Sequence, residues 1–229
     1  VTTKAARPIP LALTALIAFF SALAALAVSS GHDAHAHGNP AGHADGTTLT
    51  QKELALHNGM RVLWEDHVTW TRLAVISLVA GTPDTKATVA RLLKNQTDIG
   101  SAIKPFYGKA AGDALTGELR QHILIAADLI AAAKAGDQAK VAAEQARWQR
   151  NADDIATLLS KANPQHWARG EVRAMLGEHL RLTTQEVVAR LQGNWGADVA
   201  AYDRIHRHAL GMADTLSTGL VDQFPKRFR

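Results

Sequence analysis

Cysteine is absent from the 229 residues, so no disulfide, thiolate nucleophile or sulfur-ligated cluster belongs to this protein. Aromatic residues supply only 5% of the chain, and no stretch alternates apolar and polar with period two for long. Sheet is therefore disfavoured and helix packing favoured. Charge of either sign is also in short supply: the net excess is +4, with Lys and Arg interspersed among Asp and Glu. No basic stripe carries interleaved aromatics, which excludes a nucleic-acid partner. A glycine-rich phosphate cradle, a nucleophile elbow and an Asp-x-Asp loop are all missing, which excludes a nucleotide site and the common hydrolase arrangements.

What is present is apolar and alanine-rich. Hydrophobic residues make up 47%, enough for one substantial helical core. Lys4 and Arg7 precede an uncharged apolar run, Ile9 to Ser30. The run reads as a signal peptide or a single transmembrane anchor, an N-terminal hydrophobic helix in either case. Ala25-Leu-Ala27 has the small-x-small form of a cleavage site, while the length suits a membrane span. The positive flank places the N-terminus in the cytoplasm and everything after Gly31 outside. Residues 31–48, GHDAHAHGNPAGHADGTT, cannot form a packed core and read as a flexible tether. Its histidines, His32, His35, His37 and His43, are weak candidates for Cu²⁺, Ni²⁺ or Zn²⁺.

From residue 49 to 224 the chain repeats itself. His67, His122 and His179 are spaced 55 and 57 apart, and the glycines Gly81, Gly136 and Gly193 share that spacing. Asn95-Gln-Thr-Asp98-Ile99 and Asn151-Ala-Asp-Asp154-Ile155 lie 56 apart, with Asp203-Arg-Ile-His206 as a weaker third version. Each unit reads as one antiparallel helical hairpin, giving an all-α bundle of three repeated hairpins and about six helices. Thr50 and Glu53 form a capping box for the first helix, which ends at Gly81. The second helix is expected to stop at Lys104-Pro105, with the connection FYGKAAG leading into a third over about 113–135. Helix four runs to about Lys161, helix five over about 168–192, and helix six from Trp195 to Gln223. The basic tail, residues 225–229, is expected to fray.

The apolar spacing puts the repeated polar residues on the buried stripes. Leu63, His67, Trp70 and Ala74 advance by three or four, as do Leu119, His122, Ala126 and Leu129. Buried imidazoles need partners, and Asp98 and Asp154, one turn beyond Asn95 and Asn151, are the carboxylates expected to accept from them. Two readings follow. In one, His–Asp and His–Asn bonds form a structural layer that fixes register, with His206, Glu65, Glu178 and Tyr202 extending it. In the other, His67, His122, His179 and His206, with Asp98 and Asp154, hold a transition metal: copper or zinc on imidazoles alone, iron if carboxylates join. A catalytic centre has little to build on, and no catalytic residue is assigned. Trp64, Trp70, Trp167 and Trp195 are candidates for partner recognition as well as for packing.

The segments LWEDHVTW, LLKNQTDIGSAIKPFYG, LRQHILIAADLIAAAKAGD, SKANP, MLGEHL and HALGMADTLSTGL together resemble a family of exported or membrane-tethered bacterial helical-bundle proteins. The family pattern matches here at His67, Asn95, Asp98, Tyr107, His122, His179 and His206. The resemblance implies export and a repeated helical bundle on the outer side of a bacterial cell membrane, with no established activity. Some members carry a glycosyltransferase label, for which this chain has no nucleotide-binding layer. The functional expectation is a non-enzymatic extracytoplasmic helical domain, with an accessory subunit of a membrane protein complex and a metal-dependent enzyme as alternatives.

Overall fold

In the computed structural model the described residues are 48–229. The expected leader, residues 1–30, and the histidines of the tether lie outside them. Five α-helices and one 3₁₀ turn account for the described part, with no strand among these residues. Helix α1 spans Gln51–Ala80, α2 Thr85–Ala135, α3 Gln138–Ala162, α4 Arg169–Leu191 and α5 Trp195–Gln223.

Local chemistry explains most of the boundaries. Thr50 and Glu53 do form a reciprocal capping box, with Thr50 N–H donating to Glu53 Oε2 at 2.7 Å. Gly81, Gly136 and Gly193 take left-handed φ of 71°, 72° and 68°, where a Cβ would be strained. Asp137 and Asn194 then cap the next helices, accepting from the amides of Lys140 and Ala197.

The second helix departs from expectation. Pro105 does not end it; only Gly108, at φ 81° and ψ 171°, leaves helical geometry. That single residue reverses the chain. Were α2 straight, Gly100 and Gly112 would stand about 18 Å apart. Instead a Cβ on Gly100 would lie 2.6 Å from the Gly112 carbonyl and collide with the Thr116 hydroxyl. Lys104 Nζ reaches Asp113 Oδ1 at 2.8 Å and Arg120 Nη1 reaches the Leu93 carbonyl at 3.1 Å, so the arms 85–107 and 109–135 run side by side. Two facing glycines let the backbones approach that closely.

The helices close into a ring. Each packs on its neighbour in sequence, and α1 returns to α5. Arg61 makes two 2.6 Å bonds to Asp214 across that closing seam. One main core fills the interior, anchored by Trp64, Trp148 and Trp167.

Two expectations need correction. The tail is docked, not frayed: Phe228 is buried, its carbonyl accepts from Thr50 Oγ1 at 2.7 Å, and Arg227 Nη1 donates to the Pro105 carbonyl at 2.6 Å. Its rings stack on Phe106, which gives apolar side chains a place that a solvated end would lack. The single-pass membrane topology, with its transmembrane helix, membrane anchoring, membrane partner and extracytoplasmic placement, is also corrected. No helix among the described residues is long and apolar enough to cross a membrane, because each alternates an apolar stripe with a charged face. The run that motivated the topology, residues 9–30, lies outside the described residues.

The reversal yields a direct test. Gly100→Ala should destabilise the protein by about 1–3 kcal/mol, since the new methyl meets backbone on the facing arm. Gly59→Ala, with nothing within 4 Å, should stabilise it by up to about 1 kcal/mol. Thermal melts of the two variants showing equal shifts would contradict the close crossing.

Candidate functional site

Three imidazoles meet at the centre of the ring. His67 on α1, His122 on the second arm of α2 and His179 on α4 are 3%, 5% and 4% exposed. The His179 ring centroid lies 5.7 Å from that of His67 and 6.2 Å from that of His122. Each of the first two is held by an amide on the returning helix. Gln96 Nε2 donates to His67 Nδ1 at 3.2 Å, and His122 Nδ1–H pairs with Asn151 Oδ1 at 2.9 Å. Both partners stand 29 residues beyond their histidine.

A second bond recurs beside the first. Asn95 Nδ2 donates to the Leu63 carbonyl at 2.9 Å, and Asn151 Nδ2 to the Glu118 carbonyl at 3.2 Å. Each carbonyl lies one helical turn before the repeated histidine. Between α4 and α5 the same role falls to His208, whose Nε2 bonds the Met175 carbonyl at 3.0 Å. Twenty-nine residues beyond the histidine stand Gln96 on α2 for His67, Asn151 on α3 for His122, and His208 on α5 for His179. His208 stacks on His179 with centroids 6.2 Å apart and planes 17° apart, but gives it no hydrogen bond. His179 Nδ1 is left buried without a partner, at a cost of about 1–3 kcal/mol.

The carboxylates expected in this layer are elsewhere. Asp98 binds Lys94 at 2.7 Å on the surface, and Asp154 is exposed. His206 is drawn to the rim, where its Nε2 meets Glu65 at 2.7 Å. Helical geometry explains this: the residue one turn beyond a stripe-centred Asn drifts off the stripe, and solvation decides for the charged group. Gln96 and His208 went unrecognised in the sequence, although the constant offset from histidine to partner was legible there. Of the tryptophans, Trp64 and Trp148 pack on His67 and His122 with centroids 5.5 and 5.1 Å away. Trp167 is core, Trp70 lies under Arg91, and Trp195 is exposed beside Arg190.

The layer forms one end of a cavity of ≈ 50 Å³ that extends toward the Gly81 turn, lined by His67, His122 and His179 with Thr71, Thr183 and aliphatic side chains. That volume admits a few water-sized groups. Burial drives all three imidazoles toward the neutral form. His67 is lowered to about 4 by burial and by repulsion from His122, partly offset by its amide bonds. His122 is lowered to about 4 by burial, against the Asn151 bond. His179 falls well below the ordinary value through burial and its imidazole neighbours. Among the described residues no three His, Asp or Glu side chains already stand in metal-holding positions. No family model, curated protein or solved structure matches the chain.

Neutral burial makes stability depend on pH. The native pKa of His67 and His122 is below the unfolded value of 6.5, so the unfolded chain binds protons first as pH falls. Stability is full above pH 6.5 and drops between 6.5 and about 4, by roughly 1.4 kcal/mol per pH unit for each such histidine. His122→Gln should flatten the plot of melting temperature against pH in that window. An unchanged slope would show that His122 is not buried neutral.

Proposed function

We propose that this chain is a non-enzymatic helical domain of three hairpin units, in which a layer of neutral imidazoles and amides sets the register of alanine-rich helices. The observation that carries this reading is the recurring bond from the return arm to the carbonyl one turn before each histidine: Asn95 to Leu63, Asn151 to Glu118 and His208 to Met175. Small apolar side chains slide over one another at little cost. A polar group whose only partner lies at one height does not permit sliding, because the slipped state strands it in the core. The reversal at Gly108 supports counting α2 as the second arm of one hairpin and the first of the next.

Several features argue for a scaffold over catalysis. Asp98 and Asp154 do not line the cavity, so no imidazole there has a carboxylate to orient it as a base. Ser217 Oγ does meet His57 Nδ1 at 2.6 Å, but Ser217 is fully buried and also bonds the Ala213 carbonyl at 2.7 Å. Such a hydroxyl satisfies its helix and cannot reach a substrate.

His122→Leu should destabilise the domain by about 1–3 kcal/mol, because it strands the Asn151 amide oxygen. His206→Ala, on the solvated rim, should cost less than about 1 kcal/mol. Equal melting temperatures for wild type and His122→Leu would rule out the register role.

A further inference from the structure

The third hairpin gives up the bond that the first two make. We propose that it does so because His67, His122 and His179 bind one transition-metal ion of the kind that neutral imidazole takes, Zn²⁺ or Cu²⁺, at the cavity. The proposal rests on the layer described above for the placement of the rings. It adds a ligand to them.

The first ground is the orphaned nitrogen. An asparagine at 208 would repeat the arrangement of Asn151, accepting from the histidine and donating to the carbonyl. His208 keeps only the second bond, so His179 Nδ1 is buried with nothing to hold it. A layer that served register alone would gain from the amide. Leaving the central ring unfastened makes sense if that ring must turn toward a ligand.

The second ground is geometry. Two imidazoles on one ion, each nitrogen about 2.0–2.1 Å from the metal, put their ring centroids roughly 5 Å apart. The observed 5.7 and 6.2 Å about His179 need an inward shift of about 1 Å or less, and His67 and His122 must close on each other as well, since the three do not yet stand in metal-holding positions. His179 is the ring common to both distances and the one whose Nδ1 no hydrogen bond holds. His122 is already oriented: Asn151 holds Nδ1, and Glu118 Oε2 holds the Asn151 amide at 2.9 Å, which leaves the Nε2 lone pair available. His67 accepts from Gln96 at Nδ1, so its proton sits on Nε2. An ion there moves that proton to Nδ1, and the Gln96 amide must turn its partnerless Oε1 to accept it, giving up its bonds to the Leu92 carbonyl and Asn95 Oδ1.

The third ground is the donor chemistry. Imidazole binds these ions through an unprotonated nitrogen, and no carboxylate stands among the three rings in the cavity to hold one of them charged. No carboxylate lines the cavity, which disfavours iron, magnesium and calcium relative to zinc and copper. Water occupies the remaining coordination positions in the space beside the rings.

The test uses the full chain, without an affinity tag, with His32, His35, His37 and His43 all changed to Ala so that the tether cannot bind. Equilibrium dialysis against Zn²⁺ alone and against Cu²⁺ alone, followed by elemental analysis, should find about one equivalent of at least one ion. The preferred ion should raise the melting temperature, and the two arms tell zinc from copper. His179→Gln should abolish the uptake and His206→Ala should leave it intact. No bound ion in either arm overturns the proposal, as does uptake that survives in a folded His179→Gln variant. If that variant fails to fold, the ligands of the ion actually bound by the parent decide, by electron paramagnetic resonance for Cu²⁺ or X-ray absorption for Zn²⁺: several imidazole nitrogens support the site and their absence overturns it. Failure here leaves the register role standing, since that role is judged by the melting of His122→Leu without metal.

Discussion

Everything in this bundle depends on satisfying polar groups that the sequence places on apolar stripes. Three imidazoles in the core would each be destabilising if left alone, and the helices are arranged so that two of them are not. The amides that hold them also reach back to carbonyls on the partner arm. The layer links α1, α2 and α4, with the His179 ring beside those of both His67 and His122. Trp64 and Trp148 pack against the His67 and His122 rings.

A second polar cluster reinforces the closing side of the ring. Arg72 of α1 bonds Glu186 of α4 at 2.6 Å and also pairs with Asp198 of α5, which Arg190 meets at 2.8 Å. Both carboxylates are 1% exposed. Burial pushes the Glu186 carboxyl up, and the Arg72 guanidinium pulls against it. Burial likewise pushes on Asp198, yet Arg72 and Arg190 together hold it below the ordinary range. Removing one member of such a buried set costs more than the set contributes as a whole, so its value lies in specifying which helices meet. The Tyr202 ring lies over the Arg72 guanidinium at 5.3 Å.

Backbone constraints supply the rest. At Gly100 and Gly112 the two arms of α2 touch through main chain, and the reversal at Gly108 is compact because nothing larger intervenes. Gly219 serves Trp167 in the same way, since a Cβ there would occupy the space of the indole ring. These contacts set the spacing at the end of the bundle opposite the cavity, where the tail also docks on Phe106.

The sequence by itself determined the helical class, the capping box at Thr50, the three left-handed turn glycines and the burial of His67, His122 and His179. These are local or periodic properties, set by backbone sterics and by the spacing of apolar residues. Tertiary structure alone decided the partners. Amides rather than Asp98 and Asp154 face the imidazoles, because a carboxylate near a stripe's edge turns to solvent and to Lys94 when it can. Gly108 rather than Pro105 reverses the chain, because the helix can lose one hydrogen bond at a proline, while the tight reversal here places one residue at φ 81°, which glycine adopts without strain. The exception at His208 on α5, where an amide stands on α3, becomes visible only once the helices are packed and one imidazole nitrogen, His179 Nδ1, is found with nothing to bind.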